Sequence, residues 1–155
     1  MAIAVTSPIT GGAQTGFTSP TYTNVVDTAP TQNGKQYAVT SIGGTQAGVD
    51  VHSVSKPFTI SFFRPTVLKT LPVANPVTGI VKNVPVNTYK LIVRKGALPY
   101  ATAAAAVASA TVTFNIPAGT DTQEPEDIRA LVSALVGVLN QQSAGIGDTL
   151  VSGVM

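Results

Sequence analysis

The sequence predicts an α+β fold: an N-terminal β-hairpin, an antiparallel sheet of about five strands, then C-terminal helices. Three observations carry that reading. Up to Pro117, apolar residues alternate with polar ones in short runs, which is the period of a strand with two unlike faces. Glycine, proline and asparagine punctuate the runs. After Pro117 the apolar period lengthens to that of a helix. The 155 residues suit a single domain, divided into an arm (1–20), a β-region (21–117) and a helical region (118–155).

Residues 1–20 are rich in Thr, Ser, Gly and Pro and read as an arm that is ordered only where a neighbour holds it. Tyr22–Asp27 and Gln36–Ile42 form a hairpin, with Asn33-Gly34 as its turn pair. Gly43, Gly44 and Gly48 precede Val49–Val54, read as a third short strand. In the run 57–63, Phe58, Ile60 and Phe62 point one way and Thr59 and Ser61 the other, until Phe63 breaks the alternation. Pro65, Pro72, Pro76 and Pro85 make 64–88 a loop or an edge hairpin, because proline has no N–H for a ladder.

Residues 88–95 form the next strand, with Tyr89, Leu91 and Val93 on one face and Lys90, Ile92 and Arg94 on the other. Residues 96–109 are a loop, since Ala103–Ala106 is too short to hold a helix alone. In 110–116, Val112, Phe114 and Ile116 oppose Thr111, Thr113 and Asn115. Thr120, Asp121 and Thr122 are candidate N-caps, and Pro125 suits a first helical turn. Ile128, Leu131, Val132, Leu135, Val136 and Leu139 make one helical stripe that ends near Gln141. Full burial of that stripe is worth at most about 10 kcal/mol. Ile146–Val154 is a second short apolar segment.

Charge narrows the function. Charged residues are 10% of the chain, against about 25% in a typical soluble domain, so much of the surface is suited to burial between subunits. Lys35, Lys56, Arg64, Lys69, Lys82, Lys90, Arg94 and Lys95 lie in residues 1–100 with only Asp27 and Asp50 against them. Asp121, Glu124, Glu126, Asp127 and Asp148 lie after Pro117 with Arg129 as the single base. A basic face of this kind attracts polyanions. One helix and a short tail cover only part of a five-strand sheet, so helices from a second copy are the simplest cover for the rest.

Several classes are excluded or disfavoured. There is no cysteine, hence no disulfide or thiolate chemistry. His52 is the only histidine and makes no typical zinc site; a surface position or a satisfied place in a strand suits it better. The acids at 121–127 suit a helix start, and Gly11-Gly12 and Gly43-Gly44 lack the rest of a phosphate loop. No nucleophile–base–acid set is present, so the chain reads as non-enzymatic and without cofactor or metal. The first residues lack the basic start of a signal peptide, and no run is long enough to span a membrane.

From the Asn33-Gly34-Lys35 hairpin to the end, the order of segments resembles the coat proteins of single-stranded RNA bacteriophages, the levivirus group. Phe58-Thr-Ile-Ser-Phe62 and Asn87-Thr-Tyr-Lys-Leu-Ile-Val-Arg94 are similar to the family's central strands. Ala110-Thr-Val-Thr-Phe-Asn-Ile-Pro117, then acids, then Ile128-Arg-Ala-Leu-Val-Ser-Ala-Leu135, is similar to its last strand and first helix. The resemblance implies an intertwined homodimer with one continuous sheet, an icosahedral shell around the single-stranded RNA genome, a maturation protein as a further partner, and a virion location after assembly in the bacterial cytoplasm.

It also implies an RNA-binding inner sheet face. There an RNA hairpin directs packaging and represses translation. Carried over residue by residue, that face holds Val49, Thr59, Ser61, Lys90, Ile92, Arg94 and Thr111. Thr59 and Ser61 fall where small hydroxyl residues line a base pocket, and Val49 where an apolar residue does. Lys90 and Arg94 are the phosphate contacts, with Lys95, Arg64 and Lys56 nearby. The family often has lysine at Ile92. Ser109 and Thr111 stand where a stacking Tyr and an Asn or Asp are usual, and the lost stack is worth about 1–3 kcal/mol. The arm and the length of 64–88 are extra to the family pattern. A strand-rich adhesin or pilus-type subunit without RNA, its arm added to a neighbour's sheet, is the alternative. A small RNA-binding module that does not polymerise is a third.

Overall fold

A computed structural model describes residues 3–155. Six strands lie in one antiparallel sheet in sequence order: β1 (Ile9–Thr10), β2 (Thr18–Asp27), β3 (Gly34–Thr45), β4 (Phe58–Phe63), β5 (Val86–Ala97) and β6 (Ala106–Pro117). A short α1 (Thr120–Gln123) leads into α2 (Pro125–Gln141) and α3 (Ser143–Ser152). The α+β reading holds, with one strand more than expected.

The alternation of each strand sets the register, because a slip of one residue would carry apolar side chains to the polar side. Leu91 stands opposite both Phe62 and Val112, and Val93 opposite Ile60 and Ala110. On the other face Ile92 stands between Ser61 and Thr111, and Arg94 between Thr59 and Ser109. Phe63 remains in β4, opposite Lys90, and so adds an aromatic ring to the polar face.

Five expectations are corrected, and the 96–109 loop is shorter than expected because β5 runs to Ala97 and β6 starts at Ala106. The arm does not wait for a neighbour: Ile9 pairs with Tyr22 and Thr10 with Thr21 of the same chain. The hairpin forms, but its hydrogen-bonded turn is Thr31–Gly34, and Gly34 already belongs to β3. Val49–Val54 is a loop: Val49 N–H bonds locally to Gln46 O and Ser53 N–H to Lys56 O, so the one bond from His52 N–H to Val39 O of β3 does not extend into a ladder. His52 is in that loop, where its Nδ1 accepts the Phe58 N–H at 3.0 Å; it is satisfied, but not in a strand. Finally, no side chain of Thr120, Asp121 or Thr122 caps a helix. Gly119 precedes α1 and Glu124 precedes α2, with Pro125 in the first turn as expected.

The buried apolar core is small. Tyr37, Ala38, Val39 and Ala118 are its buried hydrophobic members among the described residues. No residue of α2 or α3 is buried. The helical stripe therefore realises little of its possible burial within one chain.

Between Thr23 and Asn24 of β2 the register shifts, and β3 gains one residue there as a bulge. Near the end of β3, Gly44 adopts a left-handed φ of 72°, and a Cβ there would strike the Ser19 and Thr18 carbonyl oxygens. Gly48 has φ 79° with open space around it. Gly48→Ala is expected to lose only the left-handed cost of about 1 kcal/mol, and Gly44→Ala about 3 kcal/mol, since backbone must also shift. Urea midpoints of the two variants check this; equal shifts would mean that the two strands do not approach as described.

Candidate functional site

The register gathers six of the seven sequence-selected residues. Thr59 and Ser61 of β4, Lys90, Ile92 and Arg94 of β5, and Thr111 of β6 occupy one face across three neighbouring strands. Val49 does not join them through the ladder; it lies in the turn after β3. Of the five cations considered, only Lys90 and Arg94 belong to this face. Lys95 lies opposite Phe58 on the apolar face, its ammonium 5.0 Å from the ring centre, and donates to Asp50 O at 2.8 Å. Burial pushes the Lys95 ammonium below its ordinary value, partly offset by Asp50. Lys56 is paired with the Asp50 carboxylate at 2.6 Å, which holds that carboxyl low. Arg64, just beyond β4, lines the space between sheet and α2.

A chain of side-chain hydrogen bonds crosses four strands of the polar face. Arg94 Nη1 donates to Ser61 Oγ at 3.3 Å, Ser61 Oγ to Gln36 Oε1 at 3.0 Å, and Gln36 Nε2 to Asp27 Oδ2 at 2.7 Å. Ser61 is 0% exposed and Thr59 5%. Ser61 is bonded by the longer Gln36 and Arg94 side chains, and what the face presents to solvent is chiefly Lys90, Thr111, Thr113 and Asn115. Gln36 and Asp27 escaped selection from sequence. Their signal was present, because the two predicted hairpin strands bring Asp27 opposite Gln36.

The other face has a different geometry. Phe62, Leu91, Phe114 and Ile116 of the sheet look across a space of about 1160 Å³ towards Ile128, Val132 and Val136 of α2. Leu131, Val136, Leu139, Leu150 and Val151 are exposed. An apolar sheet face and an apolar helix stripe thus confront each other without meeting. α3 is held from the other end of the chain. Gln14 Nε2 donates to Ser143 O at 2.8 Å and to its Oγ at 2.9 Å, and Thr15 Oγ1 donates to Asp148 Oδ2 at 2.8 Å.

Over 99% of this chain and 100% of the other, the fold matches the virus-like particle of bacteriophage ESE020, with 52% sequence identity and a TM-score of 0.96. The chain belongs to the coat proteins of the RNA bacteriophages. A more distant likeness of fold, at 16% identity and TM-score 0.54 over 86% of this chain and 88% of the other, is to the virus-like particle of Beihai levi-like virus 32. No protein-family model and no curated protein sequence matches the coat protein. By its match to a virus-like particle the chain is a structural capsid subunit, and the α+β meander with C-terminal helices is the coat fold of the family.

The hydrogen bonds from Gln36 and from the Thr28 N–H hold the Asp27 carboxyl below the ordinary aspartate value. Gln36→Ala is expected to raise it towards the ordinary aspartate value, as followed by NMR titration of the carboxyl carbon. The sign for stability follows from the depressed folded-state value. The contribution is present above the unfolded pKa and is lost as pH falls below about 4, through the folded pKa. A titration unchanged by Gln36→Ala would remove Gln36 as the cause.

Proposed function

We propose that this coat protein pairs with a second copy, that the pairs tile an icosahedral virion shell, and that the polar sheet face lines the interior and holds single-stranded RNA. The open space between the apolar sheet face and the α2 stripe carries the reading. One chain leaves both surfaces wet, and helices of a second copy supply cover of the same chemistry. The outer edge of β6 supports it. Ala106–Pro117 is 12 residues long and holds no charge, with its one proline at the end, and no strand pairs with that edge among the described residues. Free sheet edges are normally guarded by charge, proline or shortness. An unguarded one suits pairing with the same strand of a second copy.

On the RNA side, Lys90 and Arg94 make the phosphate contacts, and Ile92 and Thr111 form the surface between them. Thr59 and Ser61 become available to a base only when Arg94 leaves the Ser61 hydroxyl. Val49 stays outside this row. A specific RNA hairpin for packaging and repression would use the same face, and with Ser109 in the stacking position phosphate attraction is the larger part of binding. The maturation protein is a further partner by family membership. The adhesin reading loses its main support, since the arm pairs within its own chain.

The test is expression of the chain alone in bacteria, followed by size exclusion, electron microscopy and the absorbance ratio of nucleic acid to protein. Closed particles of uniform diameter containing RNA are expected; a stable RNA-free monomer overturns the reading. Lys90→Ala with Arg94→Ala is expected to lower encapsidated RNA while dimers persist, and to flatten the salt dependence of RNA binding by about two ions. Unchanged RNA content and salt sensitivity would assign RNA to another face.

A further inference from the structure

Residues 64–85 connect β4 to β5 and hold no strand or helix. A connection of this length without regular structure is normally functional or disordered. This one is built at both its base and its tip. At the base, Asn87 of β5 holds Lys69 by two reciprocal bonds: Lys69 N–H donates to Asn87 Oδ1 at 2.9 Å, and Asn87 Nδ2 donates to Lys69 O at 2.9 Å. Leu71 lies against Gly119, where an added Cβ would come within 3.3 Å of its side chain. At the tip, Asn75 Oδ1 accepts the N–H groups of Val77 and Thr78, Gly79 N–H donates to Asn75 O, and Asn75 N–H donates to Ile80 O. Gly79 takes the left-handed conformation, with φ 68°.

What this ordered projection presents is apolar. Val73 is 97% exposed and Val77 92%, and Leu68 and Ile80 are also exposed. Beside them the two limbs enclose an open hollow of about 560 Å³, with Pro72, Val73, Ile80 and Val81 among its walls. A fixed turn that holds two valines almost wholly in water gains nothing within its own chain.

We infer that the 64–85 projection is a docking surface for a neighbouring copy of this chain in the assembled shell, separate from the sheet edge at β6 and from the space under α2. Three observations favour a copy over a foreign partner. The projection carries Arg64, Lys69 and Lys82 and no acid, whereas 121–127 carries Asp121, Glu124, Glu126 and Asp127 and no base. Among the described residues Lys69, Lys82, Asp121, Glu124 and Asp127 form no ion pair within one chain, so each copy has a charge complement to offer the next. The particle-forming relative matches across 99% of this chain, so the alignment spans nearly all of it, the projection included. The inference rests on the shell reading above.

The experiment uses the full chain. Val73→Asp with Val77→Asp alters two side chains that support nothing in the subunit, and so leaves its circular dichroism and dimer elution unchanged. Particle yield by electron microscopy and size exclusion is expected to fall at least tenfold. In parallel, hydrogen exchange of the unmodified protein is expected to slow at least tenfold for the N–H groups of 73–80 on going from dissociated subunits to particles. Full particle yield from the double variant, or unchanged exchange at 73–80, overturns the inference. So does a variant that assembles fully but loses attachment to bacterial cells, which would give the projection to a host partner. Failure of the unmodified chain to form particles is a different result, because it removes the shell reading itself.

Discussion

The arrangement depends on the apolar face of the sheet. Phe62, Leu91, Val112 and Phe114 form a continuous hydrophobic row because antiparallel register puts like beside like. In an ordinary α+β domain a helix would lie on such a row and close the core. Here α2 faces it across a gap, and the buried apolar residues are confined to a few positions in β3 and at Ala118. One subunit therefore leaves its hydrophobic core open. Its scarcity of charge, its unguarded edge and its exposed helical leucines and valines accord with the proposed pairing: surfaces covered by a second copy need not be soluble on their own.

The polar face answers a different demand. On the proposed reading that it meets a flexible polyanion, it needs cations fixed in space but accessible. The chain from Arg94 through Ser61 and Gln36 to Asp27 fixes one guanidinium by hydrogen bonds across the sheet rather than by packing. Asp27 stands at the far end, on β2, where it orients Gln36 without neutralising Arg94 directly. Lys90 has no such constraint and stays exposed.

Sequence reasoning reached what depends on nearest neighbours along the chain. Alternation in 57–63, 88–95 and 110–116 fixed which residues share a face, and the ladder keeps those assignments. The helical stripe and the Pro125 start were equally legible. What escaped depends on contacts distant in sequence. Val49–Val54 has a strand's composition, but of its N–H groups Val49 and Ser53 bond locally and His52 alone reaches β3, at Val39 O. Lys95 alternates as expected, and only the register with Phe58 and the return of the 46–57 loop show that it is engaged with Asp50. The bonding of Ser61 by Gln36 and Arg94 needs the lengths and directions of those side chains, which no pattern along one strand contains. The arm looked detached because two residues of pairing are too few to leave a periodic signal.

The Gln14–Ser143 bond bears on the order of events in folding. Every strand of the meander pairs with its sequence neighbour, so the sheet can grow hairpin by hairpin with small loops to close. The bond from Gln14 to Ser143 spans 129 residues and ties the sheet's first edge to its last helix. Its loop is the costliest to close and gains little until both ends are formed. The helices are thus expected to be secured to the sheet's first edge late, once the meander has formed.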